Sequence, residues 1–159
     1  QVHAHLQKRA DAHETDGPPI FILVNGLQRY RMLRRAEDFG FSSGFDDPDA
    51  PPKPEKQFAE ILGEGPGVGI HTIAWVDTFA HASRALDRQG IGDFVMRVLF
   101  QMGGADSTSL IDTPAAANLG MRRALFYHEE HGTLEKFRPY ALPEKAWIEQ
   151  VVGQLSRRT

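Results

Sequence analysis

Ile20-Phe21-Ile22-Leu23-Val24-Asn25-Gly26 is the stretch that decides the fold, a solid apolar run that stops at an amide and a glycine. It follows Gly17-Pro18-Pro19 and lacks the apolar/polar alternation of a half-exposed strand. Such a run predicts a strand buried on both faces, at the centre of a parallel sheet. Carboxyl ends of strands in open α/β sheets face the ligand crevice, so Asn25 and Gly26 are candidate site positions.

Further strand and helix signals alternate on the C-terminal side. Residues 69–76 (G-I-H-T-I-A-W-V) predict a second buried strand, ending at Asp77-Thr78. Asp77 is placed to cap a helix over 79–87 through its side-chain oxygen. Residues 90–93 separate that helix from a third strand over 94–101, which Gly103-Gly104 breaks. A helix starting at Asp106 or Ser107 then carries Leu110 and Ile111. Residues 123–128 and 133–137 flank the turn Glu129-Glu130-His131-Gly132 and predict a hairpin. Pro143 opens a last helix with Trp147, Ile148, Val151, Val152 and Leu155. The order predicts an α/β fold: a mostly parallel sheet with flanking helices and a C-terminal β-hairpin.

The remaining segments connect these elements. Residues 1–16 are polar and form a helix or linker, with Val2, Leu6 and Ala10 on one face. His3, His5 and His13 lie there, but H-x-H without a nearby acid or Cys is a weak metal signal. Residues 27–35 hold Arg29, Arg31, Arg34 and Arg35, a short amphipathic helix with a solvated face or a phosphate-contacting patch. Residues 39–54 form a long Gly/Ser/Asp/Pro loop anchored by Phe39, Phe41 and Phe45. A helix over 55–63 puts Phe58, Ile61 and Leu62 on one side. The Gly-rich run 63–69 lacks the G-x-x-x-x-G-K-[ST] spacing and leads into a strand, so it predicts a helix-to-strand connection and not a phosphate loop.

At 159 residues, with 41% hydrophobic and 25% charged residues, the chain fits one globular domain with a hydrophobic core. A net charge of −3 gives no overall basic field for coating nucleic acid. Cysteine is absent, which removes thiolate chemistry and a disulfide framework and is compatible with a reducing, cytoplasmic location. No apolar run approaches the roughly 20 residues of a membrane span. The start at Gln1, without Met or a signal pattern, points to a piece of a longer protein.

From about Pro18 to about Pro139 the chain resembles the second half of the ATPase motor domain of the FtsK/SpoIIIE family. Ile20–Asn25 and Gly26 fall where that family has its Walker B strand. The G-I-H-T-I-A-W stretch matches the strand that runs into a sensor segment. R-V-L-F-Q-M-G-G-A-D-S-T-S-L-I-D is similar to the family's arginine, Phe-Gln pair and later acids, and N-L-G-M-R-R-A-L-F-Y to its leucine-glycine turn and following strand. The resemblance implies part of a RecA-like P-loop ATPase core. It divides the chain into an N-terminal segment (1–17), the ATPase half (18–142) and a C-terminal helix (143–159). It also implies ATP and Mg²⁺ in a parent protein, a hexamer or other ATPase modules of the same polypeptide as partners, and a DNA or protein substrate.

Departures from the family are concentrated at the chemistry. No phosphate loop with its lysine is present, Asn25 replaces the Mg²⁺-positioning acid, and Gly26 replaces the carboxylate that activates water. The sensor segment is W-V-D-T in place of Thr-Gln-Arg-Pro. By resemblance, Arg97 is a trans arginine finger; as a plain strand residue it would instead pair with an acid such as Asp93. Gln101 is a nucleotide contact by analogy. Two functions are open: a degenerate, non-hydrolysing module that supports a partner or active modules, and the C-terminal part of an active ATP-driven translocase in which Asp77 supplies the missing acid. An unrelated α/β binding domain is the third.

Overall fold

A computed structural model describes residues 1–13, 15, 17–35 and 53–157. Most of the predicted loop 39–54, with Phe39, Phe41 and Phe45, lies outside the described residues. The chain divides into two compact units, Gln1–Met96 and Arg97–Thr159.

The first unit opens with helix α1 (Val2–Asp11), whose inward face is His3, Leu6 and Arg9. Leu6 is the apolar anchor, as expected, but Ala10 faces solvent and two polar residues are buried in its stead. Both have partners. His3 Nε2 lies 2.5 Å from Glu60 Oε2, and the Arg9 guanidinium donates to the carbonyls of Val68 at 2.9 Å and Pro18 at 2.8 Å. Those two carbonyls lie just before the two strands, so α1 is pinned to the entry side of the sheet.

Strands β1 (Ile20–Asn25) and β2 (Ile70–Trp75) pair in parallel, from Ile20 opposite Ile70 to Asn25 opposite Trp75. Between them in sequence runs α2 (Pro54–Glu64), with Pro54 at its first turn, where the missing N–H is no loss. Its buried face is Phe58, Ile61 and Leu62, as the periodicity predicts. A single 3₁₀ turn, Gly65–Val68, and Gly69 in the left-handed region (φ 74°) deliver the chain to β2, so the glycine-rich run is indeed a helix-to-strand connection. Helices α3 (Phe79–Ala85) and α4 (Arg88–Gly92) follow β2. The second of these replaces the expected spacer: Asp87 Oδ1 accepts from the Gly90 amide at 2.8 Å and caps a short helix there.

One prediction about β1 is overturned. Ile20, Ile22 and Val24 point inward, but Phe21 and Leu23 are exposed, so the strand is buried on one face only. Helices α1 and α2 cover the inner side, where Leu6, Ile61 and Ile70 form one cluster and Leu27, Phe58, Leu62 and Leu86 another. The apolar run is the composition of a strand covered twice; among the described residues, one layer covers it.

The second unit holds β3 (Met96–Leu99) from Arg97 onward, α5 (Gly104–Ile111), the hairpin β4 (Ala124–His128) and β5 (Thr133–Phe137), and α6 (Lys145–Leu155). Strand order is β3-β4-β5, with β4 and β5 antiparallel and joined across the expected turn. The third strand therefore does not extend the parallel pair, which among the described residues has two strands and not the larger, mostly parallel sheet expected. The physical reason lies at its end: Leu99 packs with Ile111, Ala116, Leu119 and Leu125, the core of the second unit. Ser107, fully buried, ties that core together by donating to the Thr113 carbonyl at 2.6 Å and accepting from the Ala116 amide at 3.2 Å. The α/β class stands; it is built as two small sheets.

Candidate functional site

The carboxyl end of the β1/β2 pair is the place to look for chemistry. Asn25 ends β1 as an exposed amide beside Trp75. Gly26 continues the ladder by one step, its N–H donating to the Trp75 carbonyl at 3.1 Å. Its backbone then turns left-handed, at φ 81° and ψ 69°, and its carbonyl accepts from the Arg29 amide at 2.9 Å. A Cβ at Gly26 would lie 3.2 Å from the Arg29 side chain and require a strained φ. The glycine therefore serves a turn that drops Leu27, 1% exposed, into the core. The helix predicted over 27–35 is instead two 3₁₀ turns, Leu27–Arg29 and Arg31–Leu33. Arg29, Arg31, Arg34 and Arg35 are exposed around it.

Past the end of β2, Asp77 is not the cap of α3. Thr78 is: its Oγ1 accepts from the His81 amide at 3.2 Å. Asp77 reaches one turn further, and its Oδ1 lies 2.7 Å from Nδ1 of His81. That hydrogen bond holds the Asp77 carboxyl below its ordinary value, so it is an anion at neutral pH. His81 went unremarked in the sequence, although the D-x-x-x-H spacing across the start of a helix brings the two side chains within reach of each other. The end of the parallel pair thus carries one amide, one turn glycine and one exposed acid–imidazole pair. Asn25, Gly26 and Asp77 are brought to the same end by the parallel register.

Arg97 and Gln101 belong to the second unit. Arg97, 12% exposed in its side chain, donates to the Leu110 carbonyl at 2.7 Å and to Glu129 Oε2, with its guanidinium 5.5 Å from the Tyr127 ring centre. The acid that pairs with it is Glu129 of the hairpin turn, where Asp93 was the candidate. Burial pushes the Asp93 carboxyl up, with Asp87 adding to the effect. Gln101 is exposed just after β3. The hairpin turn also stacks His128 on His131, rings parallel within 8° and 4.0 Å apart.

A cleft of about 290 Å³ opens elsewhere in the first unit, where apolar Phe58, Leu62 and Leu86 adjoin charged Arg35, Lys56 and Asp87. It contains Arg35 of the candidate phosphate-contacting patch, but none of Asn25, Gly26, Asp77, Arg97 and Gln101.

A magnesium nucleotide needs anionic oxygens for the ion and backbone amides or cations for the phosphates. At the end of β1 the donor set is a neutral amide, and the neighbouring acid is already bonded to His81; these residues do not fit the ion as a Walker B end would. Among the described residues, no group of three or more His, Asp or Glu could hold a metal ion. Nor is any helix long and apolar enough to cross a membrane. Comparison with known protein families, curated proteins and solved structures finds no significant match for this chain.

Proposed function

We propose that this chain is a non-hydrolysing module of FtsK/SpoIIIE-like descent that supports a partner, or active ATPase modules of a larger protein, and turns over no ATP itself. The observation that carries this reading is the end of β1. The strand delivers Asn25 and a left-handed Gly26 where a hydrolase needs two carboxylates, and Gly26 is taken up by the turn that buries Leu27. Neither residue supplies a carboxylate to act as base for an attacking water.

A second reading is favoured by one observation. Asp77 stands at the same end of the neighbouring strand and is ionised, so it could serve as a substitute acid in an active ATP-driven translocase acting on DNA or protein. One experiment separates the two: ATP binding and turnover with Mg²⁺, wild type beside Asn25→Asp and Asp77→Asn. The non-hydrolysing module shows weak binding and no turnover in all three. Robust hydrolysis by the wild type, lost in Asp77→Asn, replaces it with the translocase reading.

A further inference from the structure

The chain contains two asparagines, Asn25 and Asn118, and their next residues differ: Gly26 after the first, Leu119 after the second. That difference sets how readily each can lose its amide. The backbone nitrogen of the next residue, once deprotonated, can attack the asparagine Cγ. A C–N bond forms, the side-chain amide leaves as ammonia, and a cyclic succinimide remains. Water then opens the ring at either carbonyl, giving aspartate or isoaspartate; the sum is asparagine plus water to acid plus ammonia. Glycine puts no Cβ beside the attacking nitrogen and lets the backbone reach the closing geometry, whereas the side chain of Leu119 crowds it.

The fold treats the two ends of this reaction oppositely. The Asn25 side chain is exposed at the end of β1 and open to water. Gly26 is buried, and its N–H donates to the Trp75 carbonyl at 3.1 Å as the terminal rung of the parallel ladder. The nitrogen that must lose its proton therefore has it engaged and shielded from base. Gly26 is also anchored on its far side. Its carbonyl accepts from the Arg29 amide at 2.9 Å, and Leu27 packs in the cluster of Phe58, Leu62 and Leu86. The ends of elements open more readily than their centres, so this one rung sets how often the nitrogen is freed.

We propose that Asn25-Gly26 is a self-modification site gated by that rung, closed while Gly26 donates to Trp75 and converted to aspartate and isoaspartate when the end of the sheet opens. Conversion turns a neutral amide into a carboxylate at the end of the sheet that already carries Asp77. The aspartate product is the side chain of Asn25→Asp, formed without a substitution. Isoaspartate instead routes the main chain through the former side-chain carbon and breaks the register at Gly26. The chemistry needs only water, so it holds whether or not the chain turns over ATP.

Peptide mapping by mass spectrometry, with isoaspartate separated from aspartate, follows both asparagines of the full chain during incubation in mildly alkaline buffer. In denaturing urea Asn25 converts and Asn118 lags behind it. In the folded wild type Asn25 converts at least about tenfold more slowly than in urea, and the Gly26 amide is protected from hydrogen exchange. Leu27→Ala loosens the anchor and raises the folded rate at Asn25 toward the urea value, with Asn118 unchanged; Leu27→Val is the milder variant should Leu27→Ala not fold. An Asn25 that stays intact in urea, a folded wild type that converts as fast as the unfolded chain, a folded Leu27 variant with the wild-type rate, or equal acceleration at both asparagines overturns the proposal.

Discussion

Arg97→Ala should lower the stability of the chain substantially, and the contacts of the guanidinium say by how much. The 2.7 Å hydrogen bond from the cation to the Leu110 carbonyl contributes about 1.5–3 kcal/mol. Glu129 is 44% exposed, which limits the ion pair to under about 1 kcal/mol. The Tyr127 ring adds about 0.5–1 kcal/mol. These contributions overlap, so the expected total is about 2–4 kcal/mol. For a chain of this size that is a melting decrease of roughly 5–15 °C. Glu129→Gln removes only the exposed pair and should cost about 3 °C or less. Arg97→Lys falls between, because an ammonium cannot reproduce the planar fork that spans both partners. Thermal and urea unfolding followed by circular dichroism read all three. An Arg97→Ala variant that melts with the wild type would show that the guanidinium is not held by these partners.

Gly65→Ala and Gly67→Ala should separate in sign. A Cβ at Gly65 would sit 2.7 Å from the Ile70 carbonyl oxygen, a backbone atom at the head of β2, and should cost about 1–3 kcal/mol in denaturant unfolding. One at Gly67 meets nothing within 4 Å and should be neutral or stabilise by about 0.4–1 kcal/mol; equal effects would refute the close approach. Asp77 should titrate below the ordinary value of 3.8, and His81→Ala should return it there, as read by carboxyl NMR. Because the folded value is depressed, the pair contributes stability above the unfolded value and loses it as pH falls through the folded one. Its effect on unfolding therefore belongs to the acid limb, below about pH 4.

Local pattern was enough for much of this structure. Phe58, Ile61 and Leu62 recur at helical spacing, and α2 buries those three. The turn 129–132 sits between two β-prone runs, and the hairpin pairs Ala124 with Phe137 across it. Gly63 to Gly69 lacked a phosphate-loop lysine and proved to be a connection. Each of these depends on residues close in sequence, where periodicity and turn chemistry act directly. The candidate site was legible to the same degree: Asn25, Gly26 and Asp77 were placed at strand ends, and the parallel register brings them to one end of the sheet.

What failed required knowledge of partners distant in sequence. Ile20 to Val24 has the composition of a strand covered twice, but whether a second layer is present depends on the rest of the fold. The strand at 94–101 could join either sheet; the packing of Leu99 with Ile111 and Leu125 assigns it to the hairpin. Thr78 and Asp77 are both good capping residues, and only backbone geometry chose Thr78 and turned Asp77 to His81. Arg97 had two candidate roles, and Glu129, 32 residues away, supplied its acid. The sequence by itself determined the α/β class and most of the elements, because composition and short-range spacing carry those. Tertiary structure alone decided which sheet each strand joined, which face stayed open and which acid held Arg97, because burial and pairing arise from contacts that the chain makes only when folded.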